Sequence, residues 1–166
     1  ALLPLLDGIE MIVSKIAGRA GTVPYGGRRV EHVELDNESR LKRVQRVRAS
    51  SGEEIALKLD TTTGELNDGD VLALTDDTAY VVRSLPVDVL IIRPRSIKEA
   101  LWVAHTLGNR HLQAQFFEPA DDLGPEVGDG AMIVRYDHTV EHYLDHSGID
   151  YSRDAVVMPT PFRHAE

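Results

Sequence analysis

Two rhythms of apolar and polar residues run along this chain, and they change over near Leu85-Pro86. Before that point, short runs repeat with a period of two. In residues 54–59, Ile55, Leu57 and Leu59 share one face, because successive side chains of a strand point to opposite sides. Residues 29–35 alternate imperfectly through Val30, His32 or Val33, and Leu35, and residues 11–16 are strand-like as well. Asn67-Asp68-Gly69-Asp70 carries turn chemistry, and residues 71–74 and 78–82 flank Asp76-Asp77 as a hairpin. Short strands at this spacing with no helix between them predict a small all-β sandwich or barrel over residues 11–86.

Beyond Pro86 the period lengthens. Residues 87–92 form a nearly continuous apolar run, the pattern of a buried strand. Ser96-Ile97-Lys98-Glu99 is a capping box, in which the serine hydroxyl and glutamate carboxylate each satisfy an orphan backbone N–H. Ile97, Ala100, Leu101, Ala104 and Leu107 then recur at helical spacing as one apolar face, and Gly108-Asn109 predicts a left-handed helix end. Strands over 112–117 and 131–136 follow. A second helix over 138–146 is capped by Asp137 or Thr139 and stopped by Gly148, and a last strand covers 154–158. The order βαββαβ predicts a ferredoxin-like domain over 87–158 and an α+β chain overall. Residues 159–166 have no periodicity and read as a mobile tail. Residues 1–10 are apolar but interrupted by Pro4 and lack a basic flank. With Met11 opening the first strand, they read as a possible leader rather than a signal peptide.

Composition narrows the chemistry. The 166 residues contain no cysteine, which removes disulfides, thiolate metal sites and cysteine nucleophiles together. Any metal must be held by imidazole nitrogen and by carboxylate or water oxygen, donors that suit Ni, Cu, Zn and Co. A formal charge of −9 argues against nucleic acid as a partner. No apolar run approaches the roughly 18 residues of a membrane span. Against that acidic background, residues 40–48 hold Arg40, Lys42, Arg43, Arg46 and Arg48. Such a run is either a solvated edge strand protected by charge or a docking face for an acidic protein.

Histidine is the remaining signal, and six of the seven lie at or beyond residue 105. His105 falls on the flank of the first helix's apolar face, where a half-buried packing role is the plain reading. His111 lies just past the helix stop and off that face, a direction fixed by a rigid turn, which makes it a candidate metal ligand. His138, His142 and His146 are spaced i, i+4 and i+8 and share a helix face. An i,i+4 pair can chelate a divalent metal, with Asp137 and Asp145 in support; a solvated polar face is the alternative. His146 also suits a helix C-terminus with no metal at all. His164, in the tail, is free to swing to a metal. There is no GxSxG, P-loop, dinucleotide fingerprint or HExxH. Three classes therefore stay open: metal handling, a protein-interaction module with incidental histidines, and a metallohydrolase using His138, His142 and an acidic residue.

The stretch Ala104-His105-Thr106-Leu107-Gly108-Asn109-Arg110-His111 resembles the signature of the UreE family of urease accessory proteins, which are nickel metallochaperones. Residues 38–43, residues 67–72 and the Asp137-His138 pair are similar too, so the resemblance runs from Met11 to about Met158. It implies an N-terminal β domain for protein binding, then a ferredoxin-like metal-binding domain. It further implies a cytoplasmic homodimer, not an enzyme, in which His111 and its symmetry mate share one Ni(II), with Zn(II) or Cu(II) able to take its place. Tail ligands such as His164 would complete the shell, and the cargo would pass to apo-urease together with other accessory proteins, including the accessory GTPase. Two departures stand out. The tail offers one histidine where many members are His-rich, and Tyr136 occupies the place where some members carry a second histidine ahead of His138.

Overall fold

The computed structural model describes residues 11–164, which divide into two compact units. The first runs to Leu85 and takes in Pro159–Pro161. Its strands are β1 (Met11–Val13), β2 (Arg29–Leu35), β3 (Val44–Arg48), β4 (Glu54–Lys58), β5 (Val71–Leu74) and β6 (Thr78–Ser84). They form two three-stranded sheets, ordered β1-β4-β3 and β2-β6-β5. Alternation does what the pattern requires: Val33 and Leu35 from one sheet and Ile55 and Leu57 from the other enter one shared core with Leu72, Tyr80 and Val82. Two pairings, β1 with β4 and β2 with β6, are parallel. A short helix α1 (Asn37–Leu41), capped by Asp36, is the one departure from an all-β unit among the described residues.

The Asn67-Asp68-Gly69-Asp70 turn is built from its side chains. The buried Asp70 carboxylate accepts from Asn67 N at 2.8 Å, Ala20 N at 3.1 Å and Arg19 Nη1 at 2.7 Å. Gly69 has φ 85°, and a Cβ there would meet the Ala20 Cβ at 2.9 Å, so no other residue fits without a shift. The cationic run is not uniform either. Arg40 is fully buried and donates from Nε to the Leu66 carbonyl at 2.8 Å and from Nη2 to Asn67 Oδ1 at 3.1 Å. Burial lowers its pKa, opposed by Asp68, Asp70 and Glu65. Lys42, Arg43, Arg46 and Arg48 remain exposed, the last two on edge strand β3.

The second unit comprises Pro86–Met158 and the chain from Phe162. Its elements are β7 (Val87–Ile92), α2 (Ile97–Gly108), β8 (Ala114–Phe117), β9 (Ala131–Arg135), α3 (His138–Ser147) and β10 (Tyr151–Val156), in one antiparallel sheet ordered β10-β7-β9-β8. This is the ferredoxin-like arrangement. Central strand β7 feeds two cores. Leu90 and Ile92 meet Val103 and Leu107 of α2 and Val140 and Leu144 of α3, whereas Val89 and Ile91 join Val127, Met158 and Phe162. Among the described residues no helix is long and apolar enough to cross a membrane. The possible leader over residues 1–10 lies outside the described residues.

Three expectations need correction. The buried face of α2 is Val103 and Leu107 with half-buried Ala100 and Ala104, one position round from the expected stripe. Ile97 and Leu101, assigned to the core, are 81% and 67% exposed. The left-handed residue after α2 is not at Gly108-Asn109: Asn109 keeps a helical φ of −63°, and His111 has φ 55°. The tail is not loose as far as Phe162, which is 1% exposed because a large aromatic ring can close the sheet's second face.

Phe162→Ala should therefore destabilise the second unit by about 3–5 kcal/mol, read by chemical denaturation, where a loose tail would give no change. The α3 cap should show in a pH titration. Asp137 accepts from Thr139 N at 2.8 Å and Val140 N at 3.3 Å, and the Thr139 hydroxyl bond leads the causes holding its carboxyl below the usual value. A depressed folded pKa contributes stability above the unfolded pKa and loses it as pH falls through the folded one. Asp137→Ala should cost about 1 kcal/mol near neutral pH, and the gap to the parent should close in acid.

Candidate metal centre

Helix α2 begins at a serine cap: Ser96 Oγ accepts from Glu99 N at 3.1 Å, whereas Glu99 Oε1 accepts from Arg95 N at 3.2 Å, one residue ahead of the cap, so the expected capping box is half formed. Val103 and Leu107 press its last two turns onto the sheet core. The helix then tightens rather than stopping at once. Asn109 N donates to the His105 carbonyl at 3.1 Å, Arg110 N to Leu107 O at 3.1 Å and His111 N to Gly108 O at 3.0 Å. The last two are three-residue bonds of a 3₁₀ turn, which delay the reversal to His111. A left-handed backbone costs a residue with a Cβ roughly 1–2 kcal/mol, and histidine is among the side chains that enter that region most often.

The neighbouring side chain ties the turn down. Arg110 Nη1 donates to Thr139 Oγ1 at 3.4 Å, and its guanidinium stands 5.9 Å from the centre of the Tyr143 ring. The exit of α2 is thus linked to the first two turns of α3. His111 is exposed, and so are His138 at the first position of α3, His142 one turn on, and His164 near the end of the described chain. His105 is also exposed rather than half-buried, because the buried arc of α2 is rotated away from it. Tyr136 is engaged where it stands: its hydroxyl donates to Glu141 Oε1 at 3.3 Å, and the Arg153 guanidinium lies 3.5 Å over its ring. Partial removal from water, then the Glu141 charge, raise the Tyr136 pKa.

Among the described residues no three histidine or carboxylate side chains gather into a group able to hold a metal. One chain therefore presents its donors singly or in pairs: His111 at the turn, His138 at the α3 cap, and His142 beside His146, whose rings are 4.3 Å apart. What the residue pattern alone did not reveal is an apolar surface on α2. Ile97, Leu101 and Trp102, the last 65% exposed, line shallow grooves with Phe116 and His105. The signal for it was present in Trp102, which the stripe of smaller apolar residues leaves unplaced.

Comparison with known proteins agrees with this architecture. Residues 13–85 match the domain described as the UreE urease accessory protein, N-terminal domain. The chain is 46% identical over 162 residues to the urease accessory protein UreE of Arthrobacter sp. (strain FB24), covering 94% of this chain and 98% of that one. It is 48% identical over 158 residues to the protein of the same name from Paenarthrobacter aurescens (strain TC1), with the same coverage, and 49% identical over 136 residues to that of Corynebacterium urealyticum (strain ATCC 43042 / DSM 7109), there covering 82% of this chain and 84% of the relative. Those names describe accessory proteins, and this chain too is an accessory protein rather than an enzyme. Matched in its first unit and aligned with whole relatives along nearly all its length, the chain belongs to the UreE family of urease accessory proteins.

Proposed function

We propose that this chain is a cytoplasmic nickel chaperone, a homodimer that carries Ni(II) to apo-urease in concert with other urease accessory proteins, including the accessory GTPase. The observation that carries this reading is the state of His111: exposed, held at φ 55°, and without two further donors gathered beside it among the described residues. Backbone strain of this kind persists where the surroundings over-determine it, and it collects at ligand sites. A single imidazole is a poor site for a divalent ion. A two-fold axis makes it a pair without any further change of sequence, since a symmetric interface presents the same residue twice.

The apolar surface of α2 supports the same dimer. Ile97, Leu101 and Trp102 lie on the helix that ends in the His111 turn, and nothing in the second unit covers them among the described residues. A second copy is the occupant that would both bury this strip and bring the partner's His111 to the metal. His164 and His138 would complete the shell, with His105 in a lesser role. Neutral imidazole binds borderline metals and releases them on protonation or ligand exchange, so an open site of this kind suits delivery better than storage. Zn(II) and Cu(II) favour the same donors and would compete. The first unit, with its exposed cationic edge at Lys42, Arg43, Arg46 and Arg48, would dock the acidic surface of a protein partner.

Calorimetric nickel titration of His111→Asn tests the ligand. Asparagine tolerates the left-handed backbone, so the fold should be kept while affinity for the shared ion falls at least tenfold. Unchanged binding would remove His111 from the site. His164→Ala should weaken binding less. Leu101→Glu or Trp102→Glu should convert the dimer to monomer in light scattering and weaken nickel binding with His111 intact. A protein-interaction module with incidental histidines would instead bind its partner equally with and without nickel.

A further inference from the structure

Helix α3 carries a donor pair that the dimer site does not use. His142 and His146 are one turn apart, both exposed, with ring centroids 4.3 Å apart and planes at 76°. Neither ring makes a hydrogen bond or ion pair among the described residues, and the aromatic contact of each is with the other. We propose that His142 and His146 form a second, independent chelate for a borderline divalent cation such as Ni(II), one per chain, with water filling the other positions.

The argument is geometric. Two imidazole nitrogens at neighbouring positions on a metal with bonds of about 2.1 Å stand roughly 3 Å apart. Rings with centroids 4.3 Å apart need only rotate about their side-chain bonds to present such a pair. Exposed side chains make those rotations freely. The backbone beneath them does not need to move. Val140 and Leu144 anchor the opposite side of α3 at 0% exposure, Asp137 caps its start, and Gly148 closes its end at φ 65°. Ligands on a buried, doubly capped helix hold their spacing better than ligands on a loop.

The neighbours limit the site to two protein ligands. Asp145, between the histidines in sequence, accepts the Tyr151 hydroxyl at 2.7 Å, and Glu141 accepts from Tyr136 at 3.3 Å. His138, a further turn back, does not join His142 and His146 in a group of three. Two nitrogens and solvent give a site weaker and faster to exchange than a four-ligand one, a place where an ion is taken up or passed on. The pair needs no second subunit, so it does not depend on the dimer reading.

The test starts from the His111→Ala chain, titrated calorimetrically with Ni(II) ions. One nickel site per chain should remain, and adding His142→Gln or His146→Gln should weaken it at least tenfold, with glutamine preserving the helix. Adding His138→Gln should leave it unchanged. In the unmutated chain, substoichiometric Ni(II) should broaden the ring proton signals of His142 and His146 together. A His111→Ala chain that binds no nickel overturns the proposal. So does a residual site that responds to His138→Gln but not to His146→Gln, or a spectrum in which the two rings stay sharp while other histidines broaden. Loss of binding on His111→Ala alone would leave the dimer reading intact and sink only this one.

Discussion

Strand β7 has no solvent face, and the second unit is organised by that constraint. Six residues carry it, and five are buried, with Asp88 the exception where it meets Arg153 at 2.8 Å. Each side chain must therefore find apolar cover on one side of the sheet or the other. Two amphipathic helices cover one side through Val103, Leu107, Val140 and Leu144. The other side has no helix. It is closed by Val127 from a loop and by Met158 and Phe162 from the chain's end. Burying an aromatic ring of this size contributes on the order of 2–3 kcal/mol, enough to hold a segment that has no regular structure of its own.

That packing determines where the histidines go. Because Val103 and Leu107 are locked into the core, the end of α2 cannot fray, and the tightening over Asn109, Arg110 and His111 is a rigid continuation of a fixed helix. Arg110 then spans to Thr139 and Tyr143, so the turn is also referenced to α3. The backbone of His111 is thus referenced to two helices, while its side chain is open to solvent.

Much of this was legible in the residue pattern, and the failures have particular causes. The cap at Ser96, the Gly148 stop and the buried run at 87–92 are local signals, and each marks its element within a residue or two. The βαββαβ order follows from their sequence. The parallel pairings of β1 with β4 and β2 with β6 could not be read, because strand alternation is blind to direction. The apolar stripe of α2 was misplaced by one position, since Ile97, Leu101 and Trp102 are as apolar as a core and nothing local distinguishes a buried strip from an exposed one. Arg40 was counted with its basic neighbours, although its partners, Leu66 and Asn67, are 26 and 27 residues away. Phe162 was lost for the same reason: one large side chain in an aperiodic tail carries no period. Histidine spacing was visible throughout, but spacing shows only what shares a face, not what meets across a subunit boundary.

A structural metal site closes its coordination shell with protein ligands and gains folding free energy from doing so. This chain does the opposite with its histidines. It folds around apolar cores that use none of them, and it leaves His105, His111, His138, His142, His146 and His164 at the surface. The folded cores therefore rest on none of these six imidazoles. Under the proposed nickel reading, an ion would be held by few protein ligands with solvent completing the shell, or by ligands pooled between two copies. Both arrangements can be undone by an incoming donor one bond at a time. In the proposed role, that reversibility is a more useful property than affinity.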